Sequence, residues 1–177
     1  LETYGRLVRG NSALIVQSGP GYGLDDPTTG AVMMNEVAIW TIIGVSLMCV
    51  FMTVRHTRTE EESERAELIR AAPVGRHAPL GAALIGVAIA DAVVAIGSAL
   101  ALAAYGLPLS GSIAFGLAIF GAGMVFAGVA AVAAQVAGGS RAALALGGVV
   151  LGLSFHMIAA ALGHVEIVDL GVLDVAH

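Results

Sequence analysis

Lysine is absent from this sequence; all eight basic residues are arginine. Without lysine there is no Gly-x-x-x-x-Gly-Lys phosphate loop, so nucleotide binding of that kind is excluded. A single cysteine, Cys49, lies inside an apolar run, which rules out a disulfide within the chain and a cysteine metal cluster. The patterns His-Glu-x-x-His and Gly-x-Ser-x-Gly are also missing. His156 and His164 stand eight residues apart with no carboxylate at ligand spacing inside their run, too few donors for a metal centre. Charged residues make up only 12% of the chain, against roughly 25% in soluble domains. The net charge of −5 is spread over several loops, and nothing points to nucleic acid.

What fills the chain instead is 58% hydrophobic residues and 24 glycines, with few aromatics and a strongly positive mean hydropathy. A soluble core does not explain that composition. It describes an all-α integral membrane protein whose small residues let helix backbones approach. Four apolar runs are long enough to span, at about residues 37–54, 79–105, 112–136 and 142–163. Residues 1–36 are polar, with turn signals at Gly19–Gly23 and Asp25–Pro27, and read chiefly as a loop that allows a short helix around Tyr4–Val16. Gly106–Gly111 is a tight uncharged hairpin, and Gly138–Arg141 makes another short turn. From His164 the tail to residue 177 carries acids but no arginine, and Val165–Val175 allows a short interfacial helix. The chain begins with Leu1 and shows no signal-peptide pattern, so the expectation is a segment of a longer protein with at least one further span upstream.

One densely charged run breaks the apolar pattern. Residues 55–70 hold five of the thirteen acids and four of the eight arginines. Thr59 followed by Glu62 is a capping-box pattern, and Glu60, Glu61 and Glu62 would fill a first helical turn, where the dipole favours negative charge. Glu61 with Arg65, and Glu67 with Arg70, have the spacing of ion pairs on one helix face. Ala66, Leu68 and Ile69 supply an apolar side, and Pro73 with Gly75 ends the segment. The reading is a short amphipathic helix over about 57–72, exposed to water between two spans. Such a helix is either a solvated loop or a docking element for a soluble partner.

The arginines set an orientation. Five lie between the first and second runs and Arg141 between the third and fourth, while the hairpin and the tail have none. The positive-inside rule puts the charged helix in the cytoplasm, with residues 1–36, the hairpin and residues 164–177 outside. Asp91 is the one acid well inside a span. A carboxylate there costs about 3 kcal/mol on insertion scales unless it is paired or protonated. It serves either a cavity or proton relay, or a hydrogen bond between helices to Ser98, Gln135 or a span outside this chain. Asp91 and Gln135 are the candidate intramembrane polar site.

The charged run also carries a family resemblance. The stretch from Val54 through Arg55, His56, Thr57, Arg58, Thr59, Glu60, Glu61, Glu62, Ser63, Glu64, Arg65, Ala66 and Glu67 to Leu68 resembles the signature V-R-H-T-R-x-E-E-E-x-x-R-x-E-L. That signature is found in ABC-2 type permeases of the polyketide-antibiotic exporter family. Val74-Gly75-Arg76, Gly106-Leu107-Pro108 with Gly111-Ser112, and Phe126 to Gln135 are similar to further motifs of that family, as are Ser140–Ala143 with Leu151-Gly152. Near the start, Asn11 and Gly19–Leu24 fit its external loop. The likeness covers about residues 11–163.

The resemblance implies a permease of the bacterial plasma membrane that moves hydrophobic compounds such as antibiotics outward. A separate cytoplasmic ATPase, a dimer, would drive it, holding the ATP and Mg; no cofactor and no catalytic residue is expected in this chain. The charged helix would be the coupling helix, docking the ATPase through Thr59, Glu60, Glu61, Glu62, Glu64, Arg65, Glu67 and Leu68. Arg55 and Arg58 would anchor the membrane boundary against anionic lipid. Family members carry two six-span halves, so the rest of the bundle, including the other transmembrane half, would complete the path. Two other classes stand beside this one: an ion- or proton-coupled transporter using Asp91, and a scaffold subunit that binds a protein without transport.

Overall fold

The computed structural model of the protein describes residues 2–9, 21, 23, 25, 28–59, 75 and 78–174, with side chains as far as Met157. Among the described residues all regular structure is helical. The elements are α1 (Glu2–Arg9), α2 (Thr29–Val54) continued by a π-helical turn (Arg55–Thr59), α3 (Ala78–Ala104), α4 (Leu109–Val136) and α5 (Ser140–Asp174). By length and composition, α2 to α5 can each cross a membrane. At 1.5 Å per residue, α2, α3 and α4 measure about 39–42 Å, more than the roughly 30 Å of a hydrocarbon core. This is an all-α polytopic membrane protein.

Two compact units divide the chain, Leu1–Trp40 with Gly152–His177, and Thr41–Leu151. In the first unit, Thr28 caps α2. Its hydroxyl accepts from the Ala31 N–H at 3.2 Å and its carbonyl from the Val32 N–H at 3.1 Å. The helix therefore starts at Thr29, well before Val37, where the unbroken apolar run begins. Asn35 and Glu36 precede that run and lie within the helix. In the leading segment α1 covers Glu2–Arg9, and the rest of the Tyr4–Val16 stretch lies outside the described residues. At the other end α5 runs unbroken through His164 to Asp174, so Val165–Val175 is no separate interfacial helix. The reason is local: every proline lies upstream of residue 109, and nothing after Ser140 forces a stop.

In the second unit, α3 and α4 form an antiparallel pair joined by Tyr105–Pro108. The turn closes by a Schellman arrangement, in which the Leu107 N–H bonds the Leu102 carbonyl and the Gly106 N–H bonds the Ala103 carbonyl, at 3.2 and 3.0 Å. Gly106 takes the left-handed conformation (φ 92°) that this motif requires. Pro108 then starts α4 at once, three residues earlier than the apolar run from Ser112. The buried stripe of α3 repeats every fourth residue: Ala83, Val87, Asp91 and Ala95. It meets a small-residue face of α4 that includes Gly116, Gly123, Ala127, Ala130 and Ala134. Large apolar side chains point the other way. Ile85, Ile89, Val93, Ile96 and Leu100 on α3, and Leu117, Val125, Val132 and Val136 on α4, are exposed. Phe115, Ile119 and Phe126 of α4 are buried as well, so the outward faces are large and apolar while the inner side mixes small and large residues, which suits helices whose outer solvent is lipid.

Candidate functional site

Asp91 stands at the midpoint of α3, thirteen residues from either end, which is about 20 Å along the axis. Its side chain is fully buried, and among the described residues neither carboxylate oxygen has a hydrogen-bond partner. The group lies flat against Gly123 at the middle of α4. A Cβ built on Gly123 would come 2.6 Å from the Asp91 Cγ and 2.7 Å from Oδ1, closer than real atoms allow. The absence of a side chain on Gly123 is therefore what admits the carboxylate to the seam. Ser46 and Thr53 on α2, also fully buried, have hydroxyl groups without a partner among the described residues.

The hydrogen bond from Asp91 to Ser98 or Gln135 does not form. Ser98 is seven residues further along the same helix, about 10 Å away along its axis. Gln135 is exposed, twelve residues beyond Gly123, or about 18 Å along α4. Asp91 and Gln135 thus occupy different depths and do not make one polar site. Periodicity places a residue on a helix; it does not give the register between two helices.

A second polar arrangement lies at the far end of α2. Ser46, Val50 and Val54 form an inward ridge at four-residue spacing, and Arg58 continues it into the π turn. Thr57 ties that turn to the helix, its hydroxyl donating to the Thr53 carbonyl at 2.7 Å. The turn packs against both α3 and α4. The Arg58 guanidinium donates to the carbonyl of Ala137, the C-cap residue of α4. A helix C-terminus has unsatisfied carbonyls and the negative end of the dipole, so a cation there is doubly favoured. Arg55 and Arg58, expected at the membrane boundary, differ in their surroundings. Arg55 is exposed, whereas Arg58 is half-buried and turned inward to a protein carbonyl.

Thr59 is the exposed last residue of the π turn. Glu60, Glu61, Glu62, Glu64, Arg65, Glu67 and Leu68 lie outside the described residues. His156 is exposed on α5. Among the described residues no three His, Cys, Asp or Glu side chains cluster as a metal site would require. Sequence reasoning missed two contacts. The Arg58–Ala137 bond joins residues 79 apart, beyond any local pattern, although Gly138-Gly139 after Ala137 does advertise a helix end in need of donors. The other is the Tyr4 hydroxyl, which donates to Glu36 Oε1 at 2.8 Å. Burial first, and then Glu36, hold the Tyr4 phenol above its ordinary pKa.

A curated relative fits this architecture. Over 131 residues the chain is 44% identical to a multidrug efflux system permease protein of Mycobacterium tuberculosis, a match covering 70% of this chain. The chain belongs to the ABC-2 type permease family. No family model matches it. The permease segment spans 23% of the length of that relative. Kinship and the four spanning helices together make it a multi-pass protein of the plasma membrane.

Proposed function

We propose that this chain supplies four spans of a permease that exports hydrophobic compounds, and that a separate ATP-binding cassette ATPase drives it. The observation that carries the reading is the 44% identity to a protein named as a multidrug efflux system permease. The charged segment between α2 and α3 supports the mechanism. In this reading residues 57–72 are a cytoplasmic coupling helix whose acids, with Arg65 and Leu68, seat in a groove on the ATPase. Closure of the ATPase pair on nucleotide then tilts α2 and α3, and rocking of the bundle alternates access to the two sides. ATP and Mg belong to the ATPase, and this chain performs no chemistry on them. The exported compound is held by apolar contacts, with the other transmembrane half completing the path. Asp91 belongs to helix packing in this reading, since its carboxylate rests on Gly123 in a close seam.

The test is co-purification of an ATPase subunit with the complete permease, wild type against Glu61→Arg/Glu62→Arg. An ATPase should come down with wild type and be lost from the variant, with membrane insertion normal in both. If no ATPase accompanies either protein, the reading fails and gradient-driven transport through Asp91 becomes the better account.

A further inference from the structure

In the reading above the coupling helix spans residues 57–72 and takes in the last residues of the π turn (Arg55–Thr59), so a displacement of it enters the membrane part through that turn. That turn is not a loose hinge. Thr57 bonds it back to α2 through the Thr53 and Val54 carbonyls, at 2.7 and 3.5 Å. It also packs on α3 and α4. A long-range side-chain tie runs from its Arg58 to the Ala137 carbonyl. Ala137 is buried and closes α4, its own N–H bonded to the Ala133 carbonyl at 2.9 Å. Two residues on, the Gly139 carbonyl accepts from the Ala143 N–H and opens α5. Arg58 therefore holds the turn between α4 and α5 from the base of α2, at the point where the charged segment leaves it.

We propose that Arg58 is a positioning residue for transport, transmitting movement of the coupling helix to the α4–α5 turn so that α2, α4 and α5 are displaced together. The proposal rests on the exporter reading. Its physical content is that a charge-assisted hydrogen bond at a helix end resists separation of the two parts it joins. Without it, nucleotide-driven movement would tilt α2 and α3 without carrying the α4–α5 turn, and hydrolysis would run without moving compound.

The experiment uses the complete permease with its ATPase in proteoliposomes, reading compound transported per ATP hydrolysed. Arg58→Gln should keep the ATPase bound while that ratio falls by about tenfold, the factor that a hydrogen bond to a charged group carries. Arg58→Lys, which retains the charge but not the fork, should fall between the two. An unchanged ratio in Arg58→Gln overturns the proposal and leaves the exporter reading standing. Failure of any ATPase to bind the wild type overturns both. Should Arg58→Gln not insert, Thr59→Cys/Gly138→Cys on a Cys49→Ser background tests the same coupling with Arg58 intact. Bridging the two thiols with a short flexible reagent should leave transport running, because the joined parts already move as one. Transport abolished by the bridge would contradict the proposal.

Discussion

Asp91 and Arg58 both bring an ionisable side chain into the helix packing, and the fold treats them in opposite ways. Asp91 sits at mid-span with no hydrogen-bond partner among the described residues, against a glycine. Arg58 sits at a helix end and finds a carbonyl. The difference follows from where a helix has unsatisfied groups. The middle of α4 has every backbone N–H engaged within the helix, so it offers Asp91 closeness but no donor. Its end at Ala137 has carbonyls free, so it offers Arg58 a bond. The centre of the α3–α4 seam is built for tight approach, and the end of α4 for connection.

The sharpest way to break the contrast is to fill the seam. Gly123→Ala should lower the stability of the permease by about 1–3 kcal/mol, the cost of overpacking a close contact. Asp91→Ala/Gly123→Ala should recover most of that loss, since removing the carboxylate vacates the space the new Cβ needs. Thermal unfolding of the single and double variants in detergent measures both. If the two losses simply add, the carboxylate does not occupy the seam as described.

Tyr4 with Glu36 is a third, weaker case, an exposed pair in which one partner is neutral. The phenol pKa is raised above its ordinary 10.0, so the tie is fully present below that value and is lost as pH rises through the higher folded-state value. Tyrosinate absorbance, wild type minus Tyr4→Phe, should show the Tyr4 step above pH 10.0, with protection of α1 falling only across that step. A step at or below the ordinary value would mean the bond to Glu36 is not made in solution.

Spans are the most legible part of the fold. A membrane helix declares itself by uninterrupted apolar length, and α3 emerges within a residue of its run. Boundaries set by caps are less visible. Thr28 starts α2 ahead of its apolar run because a side-chain cap acts on backbone N–H groups and not on hydrophobicity; α4 starts early without one, the Pro108 carbonyl accepting from the Ser112 N–H. The end of α5 escapes for the opposite reason, since acids in a helix that continues past its apolar part look like a tail. Asp91 is legible as an anomaly, but its neighbour is not. Pairing it with Gly123 needs the register of α3 on α4, which small-residue faces leave open. Arg58 reads as a boundary arginine by its place in the chain. That it points inward follows from the Ser46–Val50–Val54 ridge, a pattern blurred in the sequence because α2 is apolar on all sides.

The most direct test of the exporter reading is the energy source of transport. Inside-out membrane vesicles carrying the complete permease and its ATPase would be loaded with a hydrophobic fluorescent dye, with and without ATP and with and without a protonophore. Uptake that requires ATP hydrolysis, ignores the protonophore and persists in Asp91→Asn is the predicted result. Uptake that continues without ATP and collapses with the proton gradient, or in Asp91→Asn, would contradict it.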